Sequence, residues 1–365
     1  MSPDQLLAPS ASKLPTLRSA VTGLPAYVPG RRSLGADIAA LASNESHYEP
    51  LPAATAAVTE AAGRMNRYPD MAAVELRERI ARHLGVTAAE VAVGPGSVGV
   101  LQQIITGLCE AGDEVVFAWR SFEAYPILVE LAGARPVRVP LDDAEGHDLD
   151  AMAAAVTDRT KVILLCTPNN PTGVPISNGR LEAFLQSVPS DVLVVIDEAY
   201  VEYADAGSGP DSLALYRRYP NVCVLRTFSK AYGLAGLRVG YAITTAAIAE
   251  GLRRTALPFA VSALAQKAAI ASLDAGEEME ARVSAVKQER ARMAAELDGQ
   301  GWTLQPSQGN FLWIRADAQL LATLVDGFDA AGILVRAYQG DGVRITVADP
   351  DSNNRVLRLL AANAA

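Results

Sequence analysis

The sequence is short of the residues that staple or metallate a chain. Of 365 residues, only three are cysteines (Cys109, Cys166, Cys223) and three are histidines. The cysteines are odd in number, far apart and set in apolar runs. They read as reduced core residues of a cytoplasmic protein, not as a disulfide framework. His47, His83 and His147 lack metal-ligand spacing, and neither HExxH nor CxxC occurs, so no metal site is expected. No apolar run approaches the roughly 20 residues of a membrane helix. The N-terminus has no basic region leading into an apolar stretch, so no secretory signal is expected. Positive charge is also scarce: 32 Lys and Arg against 41 Asp and Glu leave −9. That balance argues against nucleic acid or an anionic membrane as partner. Any anionic ligand would need a positive site built locally.

What is present is ample apolar material, half of all residues, enough for a large core. Short β-branched runs recur at Val91–Val93, Val115–Ala118, Pro136–Val139, Lys161–Cys166, Val192–Ile196, Val222–Arg226 and Val239–Ile243. Amphipathic stretches lie between them, such as Val74, Leu76, Ile80 and Leu84 at helical spacing. Strands that are apolar throughout and alternate with helices predict a mostly parallel seven-stranded sheet covered on both faces, an α/β domain. After about residue 260 the pattern changes. A helix is expected from the N-cap Ser262 to near Gly299, with a break at Gly276. Strand-like pieces follow at Asn310–Ile314, Ile333–Ala337 and Gly342–Val347, with helices at about 317–331 and 350–363. The expected organisation is an extended arm over residues 1–35, a large domain over 36–260 and a small α+β domain over 261–365.

In open parallel sheets ligands bind beyond the carboxyl ends of the strands. Three predicted strands end in polar text there. The first is followed by Thr167-Pro168-Asn169-Asn170-Pro171-Thr172-Gly173, the second by Asp197-Glu198-Ala199-Tyr200, and the third by Thr227-Phe228-Ser229-Lys230, running on to Arg238. Each alone reads as a turn, a helix cap or a solvated charge. Together they place an amide, a carboxylate, a phenol, hydroxyls, a lysine and an arginine at one edge. Pyridoxal phosphate chemistry needs that set: a lysine to form the imine and an acid facing the pyridinium nitrogen. Lys230 and Asp197 suit those roles, Asn170 and Tyr200 suit the phenolic oxygen, and Thr227, Ser229 and Arg238 suit the phosphate. A competing motif, Gly94-Pro95-Gly96-Ser97-Val98-Gly99, fits the GxGxxG dinucleotide fingerprint. The next acidic pair, Asp113-Glu114, precedes the second strand, whereas a ribose-binding carboxylate should follow it, so one phosphate on a helix N-terminus explains the motif as well.

Taken together these motifs resemble the fold type I pyridoxal-phosphate aminotransferases. Within them the chain is similar to the branch of histidinol-phosphate aminotransferase and the aromatic (phenylalanine) aminotransferases. The likeness spans nearly the whole chain, from Leu24–Gly30, Leu41–Glu45 and Arg67–Asp70 through the three strand ends to Gly309–Phe311, Val335-Arg336 and Val343–Val347. The resemblance implies Lys230 as the Schiff-base lysine, with Asp197, Asn170 and Tyr200 on the ring and Phe122 stacked upon it. It implies Ser97, Val98, Thr227, Ser229 and Arg238 at the phosphate, with Tyr68 reaching the neighbouring subunit's cofactor in a homodimer with shared sites. It implies Arg344 as the clamp for the substrate carboxylate, and Arg336, Asn310, Tyr27 and Asn44 around the substrate. Two departures from the histidinol-phosphate pattern, Val98-Gly99 before Gln102-Gln103 and Ser46-His47-Tyr48 after Glu45, lean towards the aromatic subgroup. The expected activity is transfer of an α-amino group from an aromatic amino acid to a 2-oxo acid such as 2-oxoglutarate. Histidinol phosphate as substrate, a lyase or decarboxylase on the same fold, and a non-catalytic ligand module are the alternatives.

Overall fold

The computed structural model describes residues 15–24 and 37–363. Its strands are β1 (Ala39–Ala40), β2 (Val91–Gly94), β3 (Glu114–Trp119), β4 (Arg135–Pro140), β5 (Thr160–Cys166), β6 (Leu193–Asp197), β7 (Val222–Thr227), β8 (Gly240–Ile243), β9 (Phe311–Arg315), β10 (Ile333–Leu334), β11 (Arg336–Tyr338) and β12 (Gly342–Thr346). All seven predicted strands of the large sheet are present, in the order β2-β8-β7-β6-β5-β3-β4. Every pair in it is parallel except those of β8, which runs against both of its neighbours. The mostly parallel α/β expectation therefore holds.

Alternation explains why the central strands are apolar on both faces along their middles. Val194 and Ile196 enter one buried cluster, while Leu193 and Val195 enter a second, on the opposite face. Cys109, Cys166 and Cys223 all lie in that second cluster as free thiols. The helix expected from Ser262 is two helices, Ala263–Asp274 and Gly276–Gly299. The Ser262 hydroxyl caps the first, accepting from the Ala265 amide at 3.1 Å. The one strand expected at Ile333–Ala337 is divided at Val335. Ile333 and Leu334 pair in parallel with Ala39 and Ala40, whereas Arg336–Tyr338 joins β12 and β9 in an antiparallel three-stranded sheet. A local apolar run cannot reveal that its two halves serve different sheets. Of the arm, residues 19–22 form a short helix, and most of the rest, Tyr27 included, lies outside the described residues. No helix among the described residues is long and apolar enough to cross a membrane.

Candidate active site

The carboxyl ends of β3, β5, β6 and β7 share one edge, and a cavity of about 500 Å³ opens there. Its lining includes Ser97, Val98, Phe122, Asn170, Asp197, Tyr200, Thr227, Ser229, Lys230, Arg238, Arg336 and Arg344, so twelve of the predicted residues meet in one place. Asn44 and Asn310 are fully buried just behind its wall. Asn44 donates from Nδ2 to the Tyr200 hydroxyl at 3.0 Å, and Asn310 donates to the Asn44 carbonyl at 3.2 Å. Tyr68 is elsewhere, exposed on the surface and stacked on Phe259 at 4.5 Å. Tyr27 falls outside the described residues.

Asp197 ends β6 and is buried. Strand alternation turns its neighbour Glu198 the other way, where it accepts from Arg226 at 2.8 Å and Ser212 at 2.6 Å. That buried ion pair ties the end of β6 to the end of β7, the strand that leads to Lys230. The Tyr125 hydroxyl donates to Asp197 Oδ2 at 2.8 Å, while Oδ1 has no hydrogen-bond partner. Burial pushes the carboxyl up to about 6, against the Tyr125 hydroxyl and the Ala199 amide, which both favour the anion. Tyr125 is absent from the residues singled out above, although its place three residues after Phe122 puts both at the start of one helix. Their rings meet edge to face at 5.6 Å.

The Lys230 amine donates to the Ser43 carbonyl at 2.9 Å and lies 5.7 Å from the centre of the Tyr200 ring. Lost hydration, then the positive charges of Arg344 and Arg238, depress it to about 7, with only Glu45 opposing. The neutral, nucleophilic form of the amine is thereby favoured far more than in an ordinary lysine. Reductive methylation of Lys230, read by peptide mass spectrometry, is expected to rise with pH to a midpoint near 7 and then level off. A midpoint near the ordinary lysine value would overturn this assignment.

Arg238 takes a left-handed backbone, φ 54°, and donates to the Ser229 hydroxyl and the Ala235 carbonyl, both at 3.1 Å. It lies against Gly96, φ 77°, at the start of the helix Gly96–Leu108. A Cβ at Gly96 would collide with the Arg238 guanidinium, and one at Gly240 would collide with the Gly96–Ser97 backbone. Glycine at these two places lets cation and helix terminus converge, an arrangement suited to phosphate. The glycine-rich motif thus serves this cavity.

Arg344 donates to the Asn170 side chain, to the Tyr338 hydroxyl at 3.2 Å and to the Ala42 carbonyl at 2.6 Å, all neutral. Its buried Nε has no partner. A cation so placed is ready for a carboxylate.

The family model for aminotransferase class I and II matches residues 36–360. The chain belongs to that family. Among relatives of this aminotransferase, the aromatic amino acid aminotransferase of Streptomyces coelicolor is 52% identical over 347 residues, 94% of this chain and 96% of that one. A protein of the same name from Mycobacterium bovis is 51% identical over 344 residues, again 94% and 96%. A crystal structure of histidinol-phosphate aminotransferase from Sinorhizobium meliloti in complex with pyridoxal 5'-phosphate superposes with a TM-score of 0.85 at 32% identity, covering 97% of each chain.

Proposed function

We propose that this aminotransferase binds pyridoxal 5'-phosphate and moves an α-amino group between an aromatic amino acid and a 2-oxo acid such as 2-oxoglutarate. The observation that carries the reading is the pairing, in one cavity, of a lysine amine depressed to about 7 with a buried carboxylate whose Oδ1 lacks a partner. The cavity residues fit the coenzyme in three ways. Asp197 Oδ1 awaits a donor, Arg238 has only neutral partners among the described residues, and Gly96 and Gly240 clear room at a helix start. When bound, the coenzyme supplies an electron sink for the carbanion at the substrate α-carbon.

The protein's groups then divide the work. Lys230 Nζ would hold the coenzyme covalently and, once displaced by the substrate's amine, would take the α-proton of the amino acid. Asp197 keeps the ring nitrogen protonated. Asn170 and Tyr200 orient the phenolic oxygen, and Phe122 covers the ring. Ser97, Val98, Thr227, Ser229 and Arg238 hold the phosphate, and Arg344 clamps the substrate carboxylate. Exposed Met65, Tyr68, Met71, Leu257 and Phe259 support a second copy against this face, with Tyr68 contributed to the neighbouring site. The names of the relatives at about 50% identity support the aromatic substrate. Phenylalanine is expected to exceed histidinol phosphate in kcat/KM by at least about tenfold, with an acceptor such as 2-oxoglutarate. The reverse order would transfer the assignment to histidinol phosphate.

A further inference from the structure

We infer that Glu123 is a specificity-determining residue that competes with side-chain anions for the cavity's second arginine; this deepens the aminotransferase reading above and rests on it. Three guanidinium groups line the cavity. Arg238 and Arg344 meet only neutral groups among the described residues, which leaves two positive positions for two anions: the coenzyme phosphate and the substrate α-carboxylate. Arg336 differs. It donates from Nε at 3.1 Å and from Nη2 at 2.6 Å to Glu123 Oε2, and both side chains are mostly enclosed, 13% and 28% exposed.

The register shows why such a carboxylate is needed. Arg336 in β11 stands directly opposite Arg344 in β12, so two like charges share one face of the sheet. Directly opposed like charges repel, more strongly away from bulk water. Glu123, brought in at the start of the helix Ala124–Ala132, offsets one of them and leaves Arg344 as the unmatched charge. Ala124, Ile127, Leu128 and Tyr338 also line the cavity, giving an uncharged side chain apolar wall to rest on. A ligand with a second carboxylate or a phosphate on its side chain reaches Arg336 only by breaking the pair with Glu123. Discrimination here comes from an occupied cation, which weakens binding of every side-chain anion, the acceptor 2-oxoglutarate included, relative to an aromatic side chain.

The test uses the coenzyme-loaded enzyme and two unreactive ligands, glutarate and 3-phenylpropanoate, with dissociation constants measured by calorimetry. In Glu123→Gln the ratio of the glutarate to the 3-phenylpropanoate constant is expected to fall about tenfold, because the carboxylate that competes with the ligand for Arg336 is gone. In Arg336→Gln the ratio is expected to rise. A Glu123 whose duty is only to brace the fold would alter both ligands alike, and a ratio unchanged within about twofold in the two variants overturns the inference. Turnover of phenylalanine by the unaltered enzyme is read separately, so failure of the aminotransferase reading and failure of this inference give different results.

Discussion

Lys230→Ala is expected to lower transamination by about 10⁴-fold, the upper end of what one positioned proton-transfer group contributes. Among the described residues, the amine is the only lysine nitrogen lining the cavity. Its proton affinity is tuned to neutrality by enclosure and by two neighbouring guanidinium groups. Alanine removes both the covalent hold on the coenzyme and the base for the α-proton. Two measurements check this: single-turnover rates with phenylalanine, and the visible absorption band of the lysine-bound coenzyme, which should vanish together with resistance to dialysis. A variant that retains more than about a tenth of the rate would defeat the assignment of Lys230.

Asp197→Asn is expected to cost about 10²- to 10³-fold in kcat, the size seen when one preorganised electrostatic partner is removed. Asparagine keeps the shape and can still accept from Tyr125, but it carries no charge with which to hold a ring nitrogen protonated. The coenzyme-free protein should respond in the opposite sense. The folded carboxyl titrates near 6, above its ordinary 3.8, because burial without a positive partner disfavours the anion. Between those values the folded state holds more protons than the unfolded one, so its stability falls as pH rises through 6. The neutral variant escapes that loss. Its melting temperature without coenzyme should therefore exceed that of the unaltered protein above pH 6, with the difference disappearing towards pH 4. Lost activity beside gained stability separates a residue serving the reaction from one serving the fold; equal or lower stability at pH 7 would contradict this account.

The large sheet was legible because its strands are built on short apolar runs, buried on both faces in all but the edge strand β4, and bounded by turn residues or helical text. The strand-end motifs were legible for a related reason. In a parallel sheet every such end arrives at one edge, so Asn170, Asp197 and Lys230 must converge even though they are tens of residues apart. What stayed hidden depends on partners that no local pattern announces. Tyr125 looks like a core aromatic until its hydroxyl is seen on Asp197. Glu123 looks like a solvated helix-start charge until Arg336 is placed beside it. Ala39–Ala40 is too short and too weak in β propensity to read as a strand, and it exists only because Ile333–Leu334 lies alongside. Asn44 and Asn310 were expected around the substrate, and they stand one layer back, bonded to Tyr200 and to each other.

Besides the bonds to Lys230 and Tyr200, the cavity wall at residues 41–44 is held by β12. Arg344 bonds the Ala42 carbonyl, Thr346 bonds the Leu41 carbonyl and receives the Asn44 amide, and about 300 residues separate each pair. A nascent polypeptide thus cannot finish its reaction chamber until β12 has been translated. A premature stop before β12 removes Arg344 and Thr346, and with them these bonds to residues 41–44.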